Sequence, residues 1–108
     1  MSKPDSAPMA AYRLTPRAAD DLDGIYEYTI VNFGLERARG YLNDLHRRIN
    51  DPAENPALGR GAGQLAPGLR RNPYRSHVVF YLPENRGVLI VRVLHERMDA
   101  PRHFDPTV

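Results

Sequence analysis

Residues 15–34, TPRAADDLDGIYEYTIVNFG, decide the fold because they specify one helix from its first residue to its last. Thr15 offers a hydroxyl to cap the helix, and Pro16 stands at the first helical position, where its missing N–H costs nothing. Gly34 follows the last periodic residue, as a helix-terminating glycine does. One buried stripe is predicted at three- and four-residue spacing, made of Ala18, Leu22, Ile25, Tyr26, Thr29 and Phe33.

A second helix is predicted directly after Gly34. Its stripe consists of Ala38, Tyr41, Leu42, Leu45 and Ile49. The pairs Asp51-Pro52 and Asn55-Pro56 are expected to close it, because the residue before a proline avoids the helical region. Two helices joined at a single glycine must lie antiparallel, so the sequence predicts a helical hairpin.

Strands are predicted on both sides of this hairpin, at residues 12–14, 69–74, 77–82 and 88–95. Arg75-Ser76 is a tight turn, residues 83–87 are a hairpin loop, and the glycine-rich residues 59–63 are expected to form a flexible loop. The last strand is apolar on both faces except at Arg92, which indicates a central position. The predicted class is α+β, ordered β-α-α-β-β-β, an antiparallel sheet with the N-terminal helical hairpin packed on one face and the other face only partly covered.

Length and composition limit the class of protein. The 108 residues suit one domain with one modest core, expected at residues 12–104, with a flexible N-terminal segment at 1–11 and a tail at 105–108. Absence of cysteine excludes disulfides, thiolate metal sites and cysteine nucleophiles. The chain has no apolar run typical of a signal peptide or a membrane span, so we expect a soluble cytoplasmic protein without membrane contact.

Charge is unevenly distributed along the chain. Fourteen of the fifteen basic residues are arginine, and the balance is −2 up to Asn55 and +4 from Pro56 onward. A basic C-terminal half indicates an acidic partner, either nucleic acid or an acidic protein surface. The alternative is that arginine-rich composition reflects genome bias and a solvated face.

Residues 91–100 carry the most chemical information, because a buried strand runs there into a cluster of histidine and arginine and then a turn. An open basic patch for phosphate or an acidic peptide is predicted from Arg70, Arg75, His77, Arg92, His95 and Arg97, with Arg71 and His103 nearby. The histidines could also supply a group near neutral pKa for RNA cleavage. The alternative is that these side chains satisfy backbone groups and carboxylates at the rim of the sheet.

Other catalytic signals are weak, and no cofactor or metal is expected. Residues 59–63 lack the Gly-Lys-Ser/Thr ending of a phosphate loop, and the four histidines show no metal-ligand spacing. Ser76 has no base placed to activate it. The aspartates at positions 20, 21 and 23 are explained by the favourable interaction of negative charge with a helix N-terminus.

An ordered set of motifs covers nearly the whole chain, from Tyr12 to Phe104. The set comprises Arg13-Leu14-Thr15-Pro16-x-Ala18-x-x-Asp21-Leu22-x-x-Ile25-Tyr26-x-Tyr28-Thr29, Phe33-Gly34, Ala53-Glu54-Asn55-Pro56-x-Leu58-Gly59-Arg60, Pro67-Gly68-Leu69-Arg70, His77-Val78-Val79-Phe80-Tyr81 and Val91-Arg92-Val93-Leu94-His95-x-Arg97-Met98-Asp99. In this set the chain resembles the ParE branch of the RelE/ParE toxins of bacterial type II toxin–antitoxin modules. Pro52 departs from the family, whose second helix usually continues there with an aliphatic residue, so an early helix end is expected.

The resemblance implies a non-enzymatic poison of DNA gyrase, or of a related type II topoisomerase, that traps cleaved DNA and stops replication. It also implies neutralisation by a ParD-like antitoxin wrapped around the hairpin and sheet, with DNA contacted only indirectly. An apolar groove for the antitoxin is expected from Tyr26, Phe33, Tyr41, Leu45 and Phe80, core packing being the alternative for each.

Two other functions stay open at this point. The RelE branch cuts mRNA on the ribosome, often with a C-terminal tyrosine. Here the C-terminal region reads Arg102-His103-Phe104 and no tyrosine follows Tyr81, which favours the non-nuclease interpretation, although His103 keeps the alternative open. An inactive member that serves only in a repressor complex is the third option.

Overall fold

A computed structural model describes residues 11–55 and 58–104, which form a helical hairpin on a five-stranded sheet. The predicted N-terminal segment, apart from Ala11, and the predicted tail at 105–108 lie outside the described residues. The α+β class and the order of the predicted elements are confirmed. The elements are β1 (Ala11–Leu14), α1 (Pro16–Phe33), α2 (Leu35–Glu54), β2 (Arg60–Gly61), β3 (Arg70–Tyr74), β4 (His77–Glu84), β5 (Gly87–His95) and α3 (Ala100–Phe104).

The ends of α1 are those that its sequence predicts. The hydroxyl of Thr15 accepts a hydrogen bond from the N–H of Ala18 at 3.0 Å and caps the first turn. Gly34 ends the helix with φ +92°, in a region that favours glycine, and its N–H donates to the carbonyl of Ile30 at 2.9 Å. Because this single residue also precedes α2, the two helices turn back on each other directly.

Helix α2 runs further than the sequence suggested. It continues through Pro52 to Glu54, so the expectation that Asp51-Pro52 closes it early is wrong. Pro52 lies in the last turn, where a proline removes one hydrogen bond from a helix that ends two residues later. The helix ends at Asn55, before Pro56, and the N–H of Asn55 donates to the carbonyl of Asp51 at 2.9 Å.

The sheet is mixed, which corrects the expectation of an antiparallel sheet. Its strand order is β1-β5-β4-β3-β2, and β1 pairs in parallel with β5 from Ala11 opposite Gly87 to Leu14 opposite Ile90. The other three pairs are antiparallel. The strand pattern alone does not fix which neighbour β1 takes or its direction. The predicted internal position of β5 is confirmed.

Three connections differ from the sequence-based expectation. Residues 59–63 contain β2, which pairs with β3, so they do not form a purely irregular loop. The loop between β4 and β5 is only Asn85-Arg86, because Glu84 and Gly87 still pair. The short helix α3 follows β5, although no apolar periodicity in the sequence predicted it.

Each face of the sheet carries its own core. On the hairpin face, buried residues of α1 and α2 pack against Val79, Tyr81, Val88, Ile90 and Val93. On the opposite face, which we call the second face, Ala62, Leu69, Val78, Phe80 and Leu94 form a smaller core under the loop before β3 and α3. The rings of Phe80 and Phe104 lie 5.1 Å apart and bring α3 onto the sheet. The second face is therefore more fully covered than expected.

A bulge in β5 is where α1 joins the sheet. Phe80 pairs with Arg92 and Tyr81 with Ile90, which leaves Val91 as the extra residue. The hydroxyl of Thr15 donates to the carbonyl of Val91 at 2.8 Å, and the N–H of Thr15 donates to that of Ile90 at 3.0 Å. The start of the helix is thus bonded to the irregular part of the strand.

Asp21 makes the second connection between α1 and β5. One carboxylate oxygen accepts from Arg92 Nε at 2.8 Å and from the N–H of Val93 at 2.9 Å, and the other accepts from Arg92 Nη2 at 2.9 Å. Both side chains are largely buried, with 14% and 13% exposed for Asp21 and Arg92. The hydrogen bond from Arg92 to Asp21 raises the pKa of the guanidinium. For Asp21, helix-terminus charge was therefore the wrong explanation.

Removal of this carboxylate should destabilise the protein more than removal of its charged partner. Asp21→Ala leaves a buried guanidinium and the N–H of Val93 without an acceptor, so we expect a loss of about 3 kcal/mol in the free energy of unfolding in urea. Arg92→Met keeps the apolar stem and leaves Asp21 bonded to Val93, so its loss should be smaller. The exposed Asp23 is the matched control, and Asp23→Ala should change stability by less than about 0.5 kcal/mol. Equal losses in Asp21→Ala and Asp23→Ala would contradict this role.

Candidate functional site

Four ring side chains and one arginine lie close together where the β3–β4 turn, the end of β5 and α2 meet. We call them the rim cluster: Tyr41, Tyr74, Arg75, His77 and His95. The hydroxyl of Tyr41 lies 2.6 Å from His77 Nδ1, and the His77 ring lies 5.3 Å from that of His95, its partner across the strands. The Tyr41 and Tyr74 rings are 5.7 Å apart. The cluster thus links α2 to three strands through side chains alone.

Hydrogen bonding and burial define the protonation of the cluster. Burial, then the neighbouring Tyr74, raises the pKa of Tyr41, so its hydroxyl keeps its proton. Burial, then the nearby His95, lowers the pKa of His77, which favours the neutral ring. His95 Nδ1 accepts the backbone N–H of Arg97 at 3.1 Å. Nδ1 of each histidine is therefore engaged in a hydrogen bond within the fold.

Two arginines flank the ring of Tyr74. The guanidinium carbons of Arg48 and Arg75 lie 5.9 Å and 5.5 Å from its centroid, and Arg75 Nε donates to the Tyr74 hydroxyl at 3.1 Å. Arg75 is exposed and has φ +53°, in the left-handed region that a glycine would adopt without strain. A tight turn therefore projects a cation from the rim although its backbone favours a smaller residue.

The six predicted target-binding residues do not form one patch. Arg75, His77, His95 and Arg97 lie together at the rim, and Arg97 is exposed in the turn after β5. Arg92 is held by Asp21 in a largely buried ion pair, and Arg70 Nη2 donates to the carbonyl of Gly59. These two arginines therefore follow the alternative interpretation: Arg92 pairs with a carboxylate, and Arg70 binds a backbone carbonyl.

The predicted antitoxin-binding residues also divide into two groups. Leu45 and Phe80 are 0% and 1% exposed and pack in the two cores, so they do not line a surface groove. Tyr26 and Tyr41 are half-buried, and Phe33 is 57% exposed. Leu45 and Phe80 are therefore core residues. Of the five candidates, only Tyr26, Phe33 and Tyr41 reach the surface.

Four large apolar side chains near the tip of the hairpin are exposed. We call them the hairpin-tip patch: Tyr28, Val31, Phe33 and Leu35, with exposed fractions of 65%, 83%, 57% and 46%. Tyr28, Val31 and Leu35 were not predicted from the sequence, because they lie outside the predicted buried stripes. Their signal was present, since Val31 and Tyr28 are apolar residues off that stripe on a helix whose other outward positions are mostly charged or polar.

Within residues 11–55 and 58–104 there is no group of three or more histidine or carboxylate side chains that could hold a metal ion. No helix in these residues is long and apolar enough to cross a membrane. His103 is half-buried on α3, beside the apolar core of the second face. What the rim presents is exposed cations on a rigid aromatic support.

Comparison with known proteins identifies relatives over most of the chain. A family profile described as ParE toxin of type II toxin-antitoxin system, parDE, matches residues 12–100. Toxin ParE1 of Caulobacter vibrioides is 43% identical over 96 residues, covering 89% of this chain and 99% of the relative. Toxin ParE1 of Mycobacterium tuberculosis is 38% identical over 94 residues, covering 86% and 96%. Toxin ParE of Escherichia coli is 38% identical over 92 residues, covering 84% and 89%.

A solved structure shares the fold. It is described as the chromosomal ParDE TA system from P. aeruginosa, and it superposes with a TM-score of 0.69 at 24% sequence identity. The match covers 81% of this chain and 96% of that chain. The two-helix, mixed-sheet architecture described above is therefore that of a known structure.

The lowered pKa of His77 predicts how stability depends on pH. Below the ordinary value of 6.5 the unfolded chain binds a proton that folded His77 resists, so stability is complete above 6.5 and falls as the pH drops through it. We expect the melting temperature of His77→Gln to fall less than that of the wild type between pH 7.5 and 5.5. Ser76→Ala, which removes no titrating group from the same turn, should follow the wild type. Parallel pH curves for wild type and His77→Gln would contradict the prediction.

Proposed function

This chain belongs to the ParE family of toxins of type II toxin–antitoxin systems, and on that premise we propose that it stops growth by docking on DNA gyrase or a related type II topoisomerase. The proposed action is cytoplasmic and does not involve cleavage of RNA. One observation supports the non-enzymatic part: the centre of the second face holds an apolar core, and the Phe104 ring of α3 packs there on Phe80. The topoisomerase target rests on the family resemblance.

The rim is the proposed docking site for the target. Arg75 and Arg97 are both exposed. The Arg75 guanidinium is held at the Tyr74 ring, and the backbone N–H of Arg97 donates to His95 Nδ1. A cation that is already held loses little conformational entropy when it meets an acidic surface, which favours binding through Arg75. Arg70 and Arg92 contribute indirectly, because each already binds groups of its own chain.

A ParD-like antitoxin is the proposed partner that neutralises the toxin. The P. aeruginosa structure, by its title, comes from a ParDE system, which supports an antitoxin of that type. The hairpin-tip patch and the neighbouring half-buried Tyr26 offer apolar area of the kind that an amphipathic segment covers. Tyr41 would extend this contact toward the rim. Antitoxin bound there would also hinder access of the target to the rim.

A RelE-type endoribonuclease is the second candidate. One observation favours it, because Arg75 lies in the tight turn that leads into His77, and general acid–base cleavage requires an acid or base together with a cation. Against it, both histidines use Nδ1 in fixed structural hydrogen bonds. The assay that tests the topoisomerase target also separates this candidate.

Purified protein should inhibit supercoiling by DNA gyrase and should leave translated mRNA uncut. The double variant Arg75→Ala/Arg97→Ala should raise the concentration needed for half inhibition by roughly tenfold, since two interfacial charges are lost. The control Arg37→Ala/Arg39→Ala removes two exposed charges from α2 that do not belong to the rim cluster, and it should inhibit like the wild type.

Primer extension on translated mRNA is the parallel measurement. New mRNA ends with supercoiling intact would overturn the topoisomerase proposal in favour of the endoribonuclease. Loss of supercoiling that is equal in the wild type and the rim variant would retain the target and reject the rim as its docking site.

A charge placed on the hairpin-tip patch should weaken the antitoxin complex. Phe33→Asp puts a carboxylate on an exposed apolar surface, so the folded chain should keep its melting temperature while its affinity for the antitoxin falls roughly tenfold or more in isothermal titration calorimetry. Leu58→Asp is the control, since Leu58 is exposed to a similar degree, 48%, but lies outside the patch. Unchanged affinity in Phe33→Asp would remove the patch from the antitoxin interface.

A further inference from the structure

Gly59 is tightly packed against β3 and β4. A Cβ at Gly59 would lie 2.6 Å from both the carbonyl oxygen of Arg71 and the hydroxyl of Tyr81, so no other residue fits without movement of the backbone. The N–H of Gly59 donates to that hydroxyl at 2.8 Å, and its carbonyl accepts from Arg70. Tyr81 is itself fully buried. The chain therefore enters β2 in one fixed position.

The residue that this arrangement presents is Arg60. It stands directly opposite Arg71 in the antiparallel β2–β3 pair, so both side chains leave the same face of the sheet with Cβ atoms about 5 Å apart. Arg71 in turn stands opposite Phe80, and its guanidinium lies 5.6 Å from the Phe80 ring. Both arginines therefore belong to the second face, at its β2 edge.

Arg60 and Arg71 are like charges that face each other across two adjacent strands. Like charges directly opposite each other across two strands are destabilising. In the part of the chain that the structure describes, neither Arg60 nor Arg71 forms an ion pair with a carboxylate, in contrast to Arg13, Arg47, Arg48 and Arg92. Two guanidinium groups on a rigid backbone are instead available to one external anion.

We propose that Arg60 and Arg71 bind phosphate groups of a nucleic-acid backbone. The planar guanidinium donates two parallel hydrogen bonds to phosphate oxygens, and two such groups side by side suit one phosphate or two successive ones. Arg60 lies on the edge strand β2 and Arg71 on the neighbouring strand β3, and this open edge does not enclose a small anion, so a charged backbone passing along it fits better than free phosphate. The DNA duplex bound by a type II topoisomerase would supply such a backbone. This assignment of the DNA rests on the proposed function.

Binding to DNA alone tests this site without any topoisomerase, so its failure is distinct from failure of the proposed function. Fluorescence polarisation with a labelled 20-base-pair duplex gives the affinity between 50 and 200 mM salt. Arg60→Gln/Arg71→Gln should bind several-fold more weakly, and the slope of log affinity against log salt should shrink by about 1.8 for two phosphate contacts. The control Arg37→Gln/Arg39→Gln, with the same loss of charge, should keep the wild-type slope.

Two further readouts, the melting temperature and competition by inorganic phosphate, complete the test. The melting temperature of Arg60→Gln/Arg71→Gln should equal or exceed that of the wild type because repulsion is relieved, which separates lost binding from lost folding. Inorganic phosphate at constant ionic strength should leave the duplex bound, and displacement at millimolar phosphate would overturn the proposal in favour of a small-anion site. A salt slope of Arg60→Gln/Arg71→Gln equal to that of the wild type would also overturn the proposal.

Discussion

The carboxylate of Asp21 accepts three hydrogen bonds from β5, and the placement of the helical hairpin on the sheet depends on them. Strand β1 covers β5 only from Gly87 to Ile90, so beyond the bulge at Val91 the edge of β5 would present unpaired backbone groups. Thr15 and Asp21 satisfy that edge from α1 and fix the angle at which the helix leaves β1. Since Gly34 is the whole connection to α2, fixing α1 also fixes the hairpin.

A sheet covered on both faces leaves three separate surfaces for partners. Apolar area remains at the hairpin tip, because Val31 and Phe33 extend past the sheet that buries Leu22 and Ile25. Exposed cations remain at the rim, where the strands end. The edge at β2 carries the third surface. Each surface lies at a boundary of the packed core, so binding at one need not disturb the packing under the others.

Local signals in the sequence predicted most elements of this fold but not the contacts between distant residues. Thr15-Pro16 and Gly34 predicted the limits of α1 because capping depends on neighbouring residues. The parallel pairing of β1 with β5 joins residues more than 70 positions apart, and no local rule specifies it. Asp21 illustrates the same limit: its position in α1 suggested an interaction with the helix terminus, whereas its true partners come from β5.

The charges at the candidate surfaces show why residue type alone could not define a site. Arg92 lies within β5 and Arg97 directly after it, both in the basic half of the chain, yet Arg92 is neutralised by Asp21 and Arg97 is exposed. An arginine whose charge is matched within its own fold has already exchanged its hydration for that partner, and a new ligand would have to break the bond. Arg60 and Arg71 represent the opposite case, because they repel each other and an external anion would relieve that repulsion. The balance of +4 after Pro56 is thus the sum of structural and available cations, and only three-dimensional contacts distinguish them.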